Sequence, residues 1–327
     1  MRSILANLLC EDELAGRNPN RKTLETVSGL ATLLRVFARE GDRLWTPAPV
    51  DRILPVPGLP IPESGPVEPV DELLAWCETP QAASLRKKRT IASDLPLHEL
   101  VWHLPVPSPS VVARVHHRAF HLKVAEELGC ALPGARMVES LSDLDSVSAP
   151  AWVVKAPLSA SGRSRYIERN GPRLSDLKSR RTVERLFEAH GPLLFEPWME
   201  RTADFGCSAI LTPELKIVGF HRQMVDIKGQ FAGIELPAEV PEMPVEKVAE
   251  ALRREGYVGP FGIDAWSYGN RFNPLGEINA RMTFGLVAWA LAERLGIERL
   301  RLRFGSEVPD GAIPLLDGTP SAWIETF

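Results

Sequence analysis

The sequence predicts a mixed α/β (α+β) protein of two or three lobes. Three observations carry that expectation. At 327 residues the chain exceeds what one small core encloses. Short apolar runs that read as strands recur between stretches whose apolar residues have helical spacing. Composition also changes along the chain, from a proline-rich first part, through a part with a small-residue loop, to a β-rich last part. These changes set expected divisions at residues 1–106, 107–197 and 198–327.

The apolar run Ile4 to Leu9 is short and is interrupted by Asn7, which rules against a signal peptide and predicts a buried first strand. Thr23 to Arg39 places Leu24, Val27, Leu30, Leu33, Leu34 and Phe37 at helical spacing, and Gly41 ends the pattern. Eight prolines between Pro47 and Pro69 exclude a helix or a central strand and predict a crossing loop.

From Ser110 the pattern predicts a helix to Gly129, with Val115, Phe120, Leu122, Val124 and Leu128 on its apolar side. Trp152 to Lys155 reads as a strand running into a small-residue loop. Arg180 to His190 reads as a helix, and Leu193 to Trp198 as a strand stopped by proline. In the last part, Cys207–Leu211 and Leu215–Met224 are expected strands joined around Pro213. Val245 to Gly256 follows as a helix. Phe261–Trp266 and Phe272–Asn279 form an expected hairpin, and Phe284 to Leu295 an apolar helix that could be buried or could reach a second copy of the chain.

A net charge of −4 excludes a global basic field for nucleic acid or an anionic membrane, so any anion site must be built locally. Lys178-Ser179-Arg180-Arg181 accordingly reads as a solvated helix start. No stretch of eighteen apolar residues occurs, and no membrane span is expected. Cys10, Cys77, Cys130 and Cys207 contain no Cys-x-x-Cys pair, which predicts reduced thiols in a cytoplasmic protein.

The late hairpin carries the strongest chemical signal. With its turn centred between Asn270 and Arg271, Asp264 faces Glu277, and directly opposed residues have Cβ atoms about 5 Å apart. Glu277, Asn279 and Arg281 alternate and share one face. Two facing carboxylates repel unless a cation lies between them, and oxygen ligands suit Mg²⁺, or Mn²⁺ in its place. Solvated acids on a surface hairpin fit less well, because Phe261, Ile263 and Ile278 surround them.

Lys155 ends an apolar strand before the loop Ser159 to Ser164. Small residues let backbone N–H groups approach a phosphate, and Arg163 and Arg165 add charge beside Ser159, Ser161 and Gly162. A polar hairpin loop is the competing reading. Glu196-Pro197-Trp198-Met199 could offer backbone groups and apolar flanks to an adenine ring, or be a core strand end. Cys207 reads as a strand residue, and His221 as a hydrogen-bonded surface histidine beside the site.

In order and spacing these pieces resemble the ATP-grasp superfamily of ligases over roughly residues 107 to 300. The resemblance implies an ATP-grasp fold, with two α/β subdomains gripping ATP behind an N-terminal α/β domain. It also implies that Arg118, Lys155 and the loop Ser159 to Ser164 contact the phosphates, and that Glu196 to Met199 hold adenine. Asp264, Glu277 and Asn279 would bind Mg²⁺, while Arg281 and Lys155 would act in catalysis. Gly41-Asp42-Arg43-Leu44-Trp45 and the proline-rich stretch are similar to the pre-ATP-grasp region of a branch that includes peptide ligases. The activity implied is ligation of a small-molecule carboxylate to an amine through an acyl phosphate. The alternatives are a small-molecule kinase and a regulatory protein with a degenerate nucleotide site.

Overall fold

The predicted first strand, β1 (Arg2–Leu5), is buried along its whole length inside a four-stranded parallel sheet. The structure is a computed structural model that describes all residues except 1, 51–52, 67, 70–71, 88–93, 160–161, 175, 227–230 and 319. β1 ends before its apolar run does, because Asn7 turns the chain. The Asn7 amide donates to the Cys77 carbonyl at 3.0 Å and accepts from the Cys77 N–H at 3.2 Å. Helix α1 (Cys10–Leu14) follows at once.

Helix α2 (Arg21–Ala31) is capped by Asn20, whose Oδ1 accepts from the Thr23 N–H at 2.9 Å. The helix expected over Thr23 to Arg39 is α-helical only as far as Ala31. Its second half tightens into a 3₁₀ turn, Thr32–Phe37, with all six residues buried. β2 (Arg43–Trp45), β3 (Glu63–Ser64) and β4 (Glu72–Ala75) complete the sheet in the order β3-β2-β1-β4. β3 lies inside the proline-rich stretch; it has only two residues and sits at the sheet edge, where proline is tolerated. Short helices α3 (Pro80–Leu85) and α4 (Leu97–Leu100) close this part.

The helix expected from Ser110 to Gly129 is two helices, α5 (Pro109–His116) and α6 (Arg118–Glu127). His117 breaks it by adopting an extended ψ of 134°, and its Nδ1 caps α6 by accepting from the Ala119 N–H at 3.1 Å. Arg118 thereby becomes the first residue of a helix. A second sheet follows, built from β5 (Arg136–Val138), helix α7 (Leu141–Leu144), β6 (Trp152–Lys155), β7 (Arg165–Glu168), helix α8 (Leu177–His190) and β8 (Leu193–Pro197). Its strands run antiparallel in the order β5-β8-β6-β7. Val183, Leu186 and Phe187 of α8 pack with Trp152 and Phe195 in a core of their own.

The last part holds β9 (Arg201–Leu211), β10 (Leu215–Val225), β11 (Phe231–Leu236), α9 (Val245–Arg254), β12 (Gly259–Tyr268), β13 (Arg271–Asn279), α10 (Phe284–Leu295), β14 (Leu300–Gly305), β15 (Ile313–Leu316) and β16 (Ser321–Thr326). These strands form one eight-stranded sheet, β13-β12-β9-β10-β11-β14-β16-β15. α10 spans the predicted residues, but it is packed within the chain. Leu286, Val287, Ala288, Ala290 and Leu291 are all buried, which removes it as a surface for a second copy. Gly219 allows this seating: a Cβ there would stand 2.3 Å from the Trp289 ring.

The three sheets fall within the three expected segments, but the cores do not follow them. Leu34 and Phe37 of the first part, Val112 and Phe120 of α5 and α6, and Leu286 of α10 share one apolar cluster. Among the described residues the small middle sheet has a cluster of its own, and Leu5, Leu73 and Ala82 form a further small one. Among the described residues no helix is long and apolar enough to cross a membrane. All four cysteines are free.

Candidate active site

A cleft of about 250 Å³ separates the β6–β7 hairpin from the face of the large sheet. Lys155, Gly162, Arg163 and Arg165 line it from the hairpin side. Arg118 enters from α6, and Asp264, Glu277, Asn279 and Arg281 line the sheet side. Six basic side chains and three acidic ones face the cavity, so a chain that is acidic overall has built a locally cationic site.

The hairpin β12–β13 pairs Asp264 with Glu277, as the alternation predicted. The route to that pairing differs from the expected one. The turn lies at Gly269-Asn270, with Tyr268 opposite Arg271. That register alone would not oppose the two acids. A bulge between Asp264 and Trp266 shifts the pairing and brings Glu277 into place. Gly276 sits in the bulge because a Cβ there would stand 2.6 Å from the Trp266 indole nitrogen.

Asp264 is held by two amides. Gln223 Nε2 donates to its Oδ1 at 2.5 Å, and Asn279 Nδ2 to its Oδ2 at 3.1 Å. Burial, followed by the Glu277 charge, raises its pKa to about 6 despite those hydrogen bonds. Glu277 moves the other way. Burial opposes its ionisation, but the Arg118 guanidinium, with one nitrogen 2.9 Å from Oε1, holds it below the usual carboxylate range. The pair therefore carries unequal proton affinities.

Arg118 joins the sheet to the hairpin loop. Besides Glu277, it donates from Nε to the Ala156 carbonyl at 2.9 Å and from Nη2 to the Ser159 carbonyl at 3.1 Å. The Ser159 hydroxyl also accepts from it at 3.3 Å. Ser159 thus braces Arg118 and does not itself line the cleft. The stretch from Ser159 to Ser164 connects the antiparallel strands β6 and β7, so the hairpin-loop reading holds for its backbone. Gly162 has φ +67° and Ser164 φ +49°, left-handed conformations that turn the loop back on itself. Ser161 lies outside the described residues.

Lys155 is ion-paired with Glu196 on the neighbouring strand β8. Burial lowers the lysine pKa, and Glu196 counteracts this. Glu196 itself stays below the usual carboxylate range, because Lys155 and then His121 outweigh its burial. This gives Glu196 a different place from the one expected. Glu196, Pro197, Trp198 and Met199 do not line the cleft, and the Trp198 N–H is used by the Ala151 carbonyl at 2.9 Å.

Arg281 reaches outside the expected constellation. Its Nε donates to Glu11 Oε1 at 2.9 Å, and its guanidinium lies over the Trp76 ring, 5.4 Å from the centroid. Glu11 is fully buried and also meets His116 Nε2 at 3.1 Å. Burial would raise the Glu11 pKa, but Arg281 and His116 hold it well below the carboxylate range. Sequence reasoning missed Glu11, since nothing local marks a glutamate 270 positions from its partner. It also missed Asp204 and Arg201, joined at 2.8 Å on the cleft wall. His221, expected at the surface, is 3% exposed and lines the cleft. Cys207 is buried on β9, as expected, and also faces the cavity.

No protein-family model matches the chain, and no curated protein matches its sequence. Solved structures do match. An N5-carboxyaminoimidazole synthetase from Staphylococcus aureus, complexed with ADP, aligns with a TM-score of 0.55 and 9% identity over 92% of this chain and 91% of its own. An ATP-grasp superfamily protein from Archaeoglobus fulgidus aligns with a TM-score of 0.55 and 15% identity over 92% and 94%. The biotin carboxylase domain dimer of the Hydrogenobacter thermophilus 2-oxoglutarate carboxylase, with MgADP, ADP and bicarbonate, gives a TM-score of 0.52 and 10% identity over 100% and 86%. The chain therefore has the ATP-grasp fold.

Proposed function

We propose that this chain is an ATP-dependent, ADP-forming ligase that activates a carboxylate and joins it to an amine. One observation carries the reading. Asp264, Glu277 and Asn279 face a cleft whose opposite wall presents Lys155, Arg163 and Arg165. That is an oxygen-rich wall against a cationic wall, as a nucleotide triphosphate with its cation requires. The ADP and MgADP held by two of the similar structures support the same reading.

The donor set fits Mg²⁺, with Mn²⁺ as a substitute. All its donors are oxygens, and Asp264, its pKa raised by burial and then by the Glu277 charge, has no cationic partner of its own such as Arg118 gives Glu277. Among the described residues no group of three or more His, Cys, Asp or Glu could hold a metal by itself, so phosphate oxygens complete the set. The bound cation would neutralise charge building on the transferring phosphoryl group.

Arg118 and Lys155 would bind the phosphates, and the Ser159 to Ser164 loop, including Ser161 and Gly162, would cover them with Arg163. Glu196 to Met199 remain the proposed adenine support through their backbone. A substrate carboxylate oxygen attacks the γ-phosphorus and ADP leaves; an amine then attacks the acyl carbon and phosphate leaves. Arg281, fixed by Glu11, would steady the carboxylate as its phosphate forms. No side-chain nucleophile is needed. Four free cysteines support a reducing, cytoplasmic setting.

The test is Mg²⁺-dependent ADP release from ATP with a panel of small carboxylic acids, each with and without amino acids and simple amines. Release that requires both partners is the expected result. Release that never depends on an acceptor makes the chain a kinase. Nucleotide binding indifferent to Mg²⁺ and to Glu277→Ala makes it a degenerate binding protein.

A further inference from the structure

The cleft has a second half that phosphate chemistry leaves unexplained. Past Asp264, one row crosses the sheet from Glu277 through Asp264 and Gly206 to His221, on β13, β12, β9 and β10. Adjacent strands lie about 4.8 Å apart, so His221 stands on the order of 10 Å from Asp264.

His221 occupies a slot made by two glycines. A Cβ on Gly206 would stand 2.3 Å from His221 Nε2. A Cβ on Gly285 would stand 2.2 Å from Cε1 and 2.7 Å from Nε2. The Cε1–Nε2 edge of the ring thus packs against the first turn of α10. His221 is 3% exposed, and its Nδ1 has no partner among the described residues. Burying an imidazole without a partner is unfavourable, and a ligand would recover that loss.

What it faces is suited to an anion. α10 has twelve residues, and Thr283 Oγ1 caps only the Leu286 N–H, at 3.2 Å. The preceding amides, of Phe284 and Gly285, have no partner among the described residues, and both residues line the cleft. Beside them the wall turns apolar. Phe231 stacks on Phe284 with centroids 6.1 Å apart and planes 23° from parallel, and Phe231 is still 38% exposed.

We infer that His221 and the first turn of α10 bind a carboxylate of the amine substrate, and that Phe231 and Phe284 receive its apolar side chain. The acceptor is then a free α-amino acid with a large apolar side chain. The inference deepens the ligase reading and rests on it for the role of the amine. The spacing from His221 to Asp264 leaves room for an acyl phosphate between carboxylate and metal site.

The test is calorimetric binding to the full chain in MgADP, using L-phenylalanine, phenethylamine and glycine as probes. Phenethylamine lacks only the carboxylate, and glycine lacks only the side chain. L-Phenylalanine is expected to bind at least tenfold more tightly than either. His221→Phe should abolish its advantage over phenethylamine. Phe231→Ala, at a partly exposed site, should abolish its advantage over glycine while keeping the carboxylate preference. Equal binding of L-phenylalanine and phenethylamine, no binding of any probe, or a preference unchanged in His221→Phe overturns the inference. Selective binding without acceptor-dependent ADP release would instead remove the ligase reading and leave the subsite standing.

Discussion

Glu11 and Arg281 are hydrogen-bonded at 2.9 Å across 270 positions of the chain, with Glu11 fully buried and His116 on its other side. This contact ties the cleft-lining Arg281 to the first helix. Glu11→Ala leaves Arg281 buried without its carboxylate, and breaking a buried pair from one side typically costs about 3–5 kcal/mol. Denaturant unfolding should show a loss of that size, and Glu11→Gln a smaller one. Glu11→Gln should also lower kcat/KM for the carboxylate more than it weakens MgADP binding.

Asp264 has the opposite sign. Its folded pKa is about 6 against an ordinary 3.8, so the protein without metal gains stability from it below pH 3.8 and loses that gain as pH rises through 6. At pH 7 the ionised group costs up to about 3 kcal/mol. Asp264→Asn should therefore raise the melting temperature at pH 7 in the absence of Mg²⁺, and abolish the effect of Mg²⁺ on nucleotide affinity. A melting temperature that falls would remove the claim of a strained carboxylate pair.

Acid should unfold the protein through identifiable groups. His121 and His221 have pKa values lowered to about 4 by burial, against 6.5 when unfolded. The unfolded chain thus takes up protons first, and stability declines as pH falls from 6.5 toward 4. Glu11 adds a further loss below its ordinary 4.5, since its folded pKa is depressed. Melting curves of His221→Gln against the unmodified chain should converge as pH falls through that first window.

Lys155 and Glu196 make a prediction about nucleotide binding. Lys155→Met removes the proposed phosphate contact and should weaken MgADP binding at least tenfold. Glu196→Gln leaves the lysine charged but unpaired, in a site where burial already lowers its pKa. Its affinity for MgADP should then begin to fall at a lower pH than that of the unmodified chain. A flat profile in Glu196→Gln would show that Glu196 does not sustain the lysine charge.

The legible parts of this protein were the local ones. Alternation put Glu277, Asn279 and Arg281 on one face, and Asp264 does oppose Glu277, but through a bulge that compensates a turn shifted from its expected centre. Periodicity found α10 to the residue. It could not see that His117 leaves the helical region, because that break depends on a cap and not on hydrophobic pattern. The placement of His221 was equally hidden. Two glycines, Gly206 and Gly285, separated by most of the sheet, make its slot, and neither carries a signal alone. Glu196 was legible as a strand end, whereas its pairing to Lys155 required the order of strands in the small sheet.

The first helix and the turn after it also touch the opposite jaw. Arg17 donates to the Leu158 carbonyl at 2.7 Å, and Asp12 lies 3.4 Å from Arg163. One short helix near the start of the chain thus braces both walls of the cleft. On a ribosome emitting about 5–20 residues per second, Arg281 emerges roughly 14–54 seconds after Glu11. For that interval the nascent N-terminal sheet has its carboxylate ready and no guanidinium to meet it. The cleft therefore cannot mature from its N-terminal side alone: its assembly waits for Arg281 to emerge.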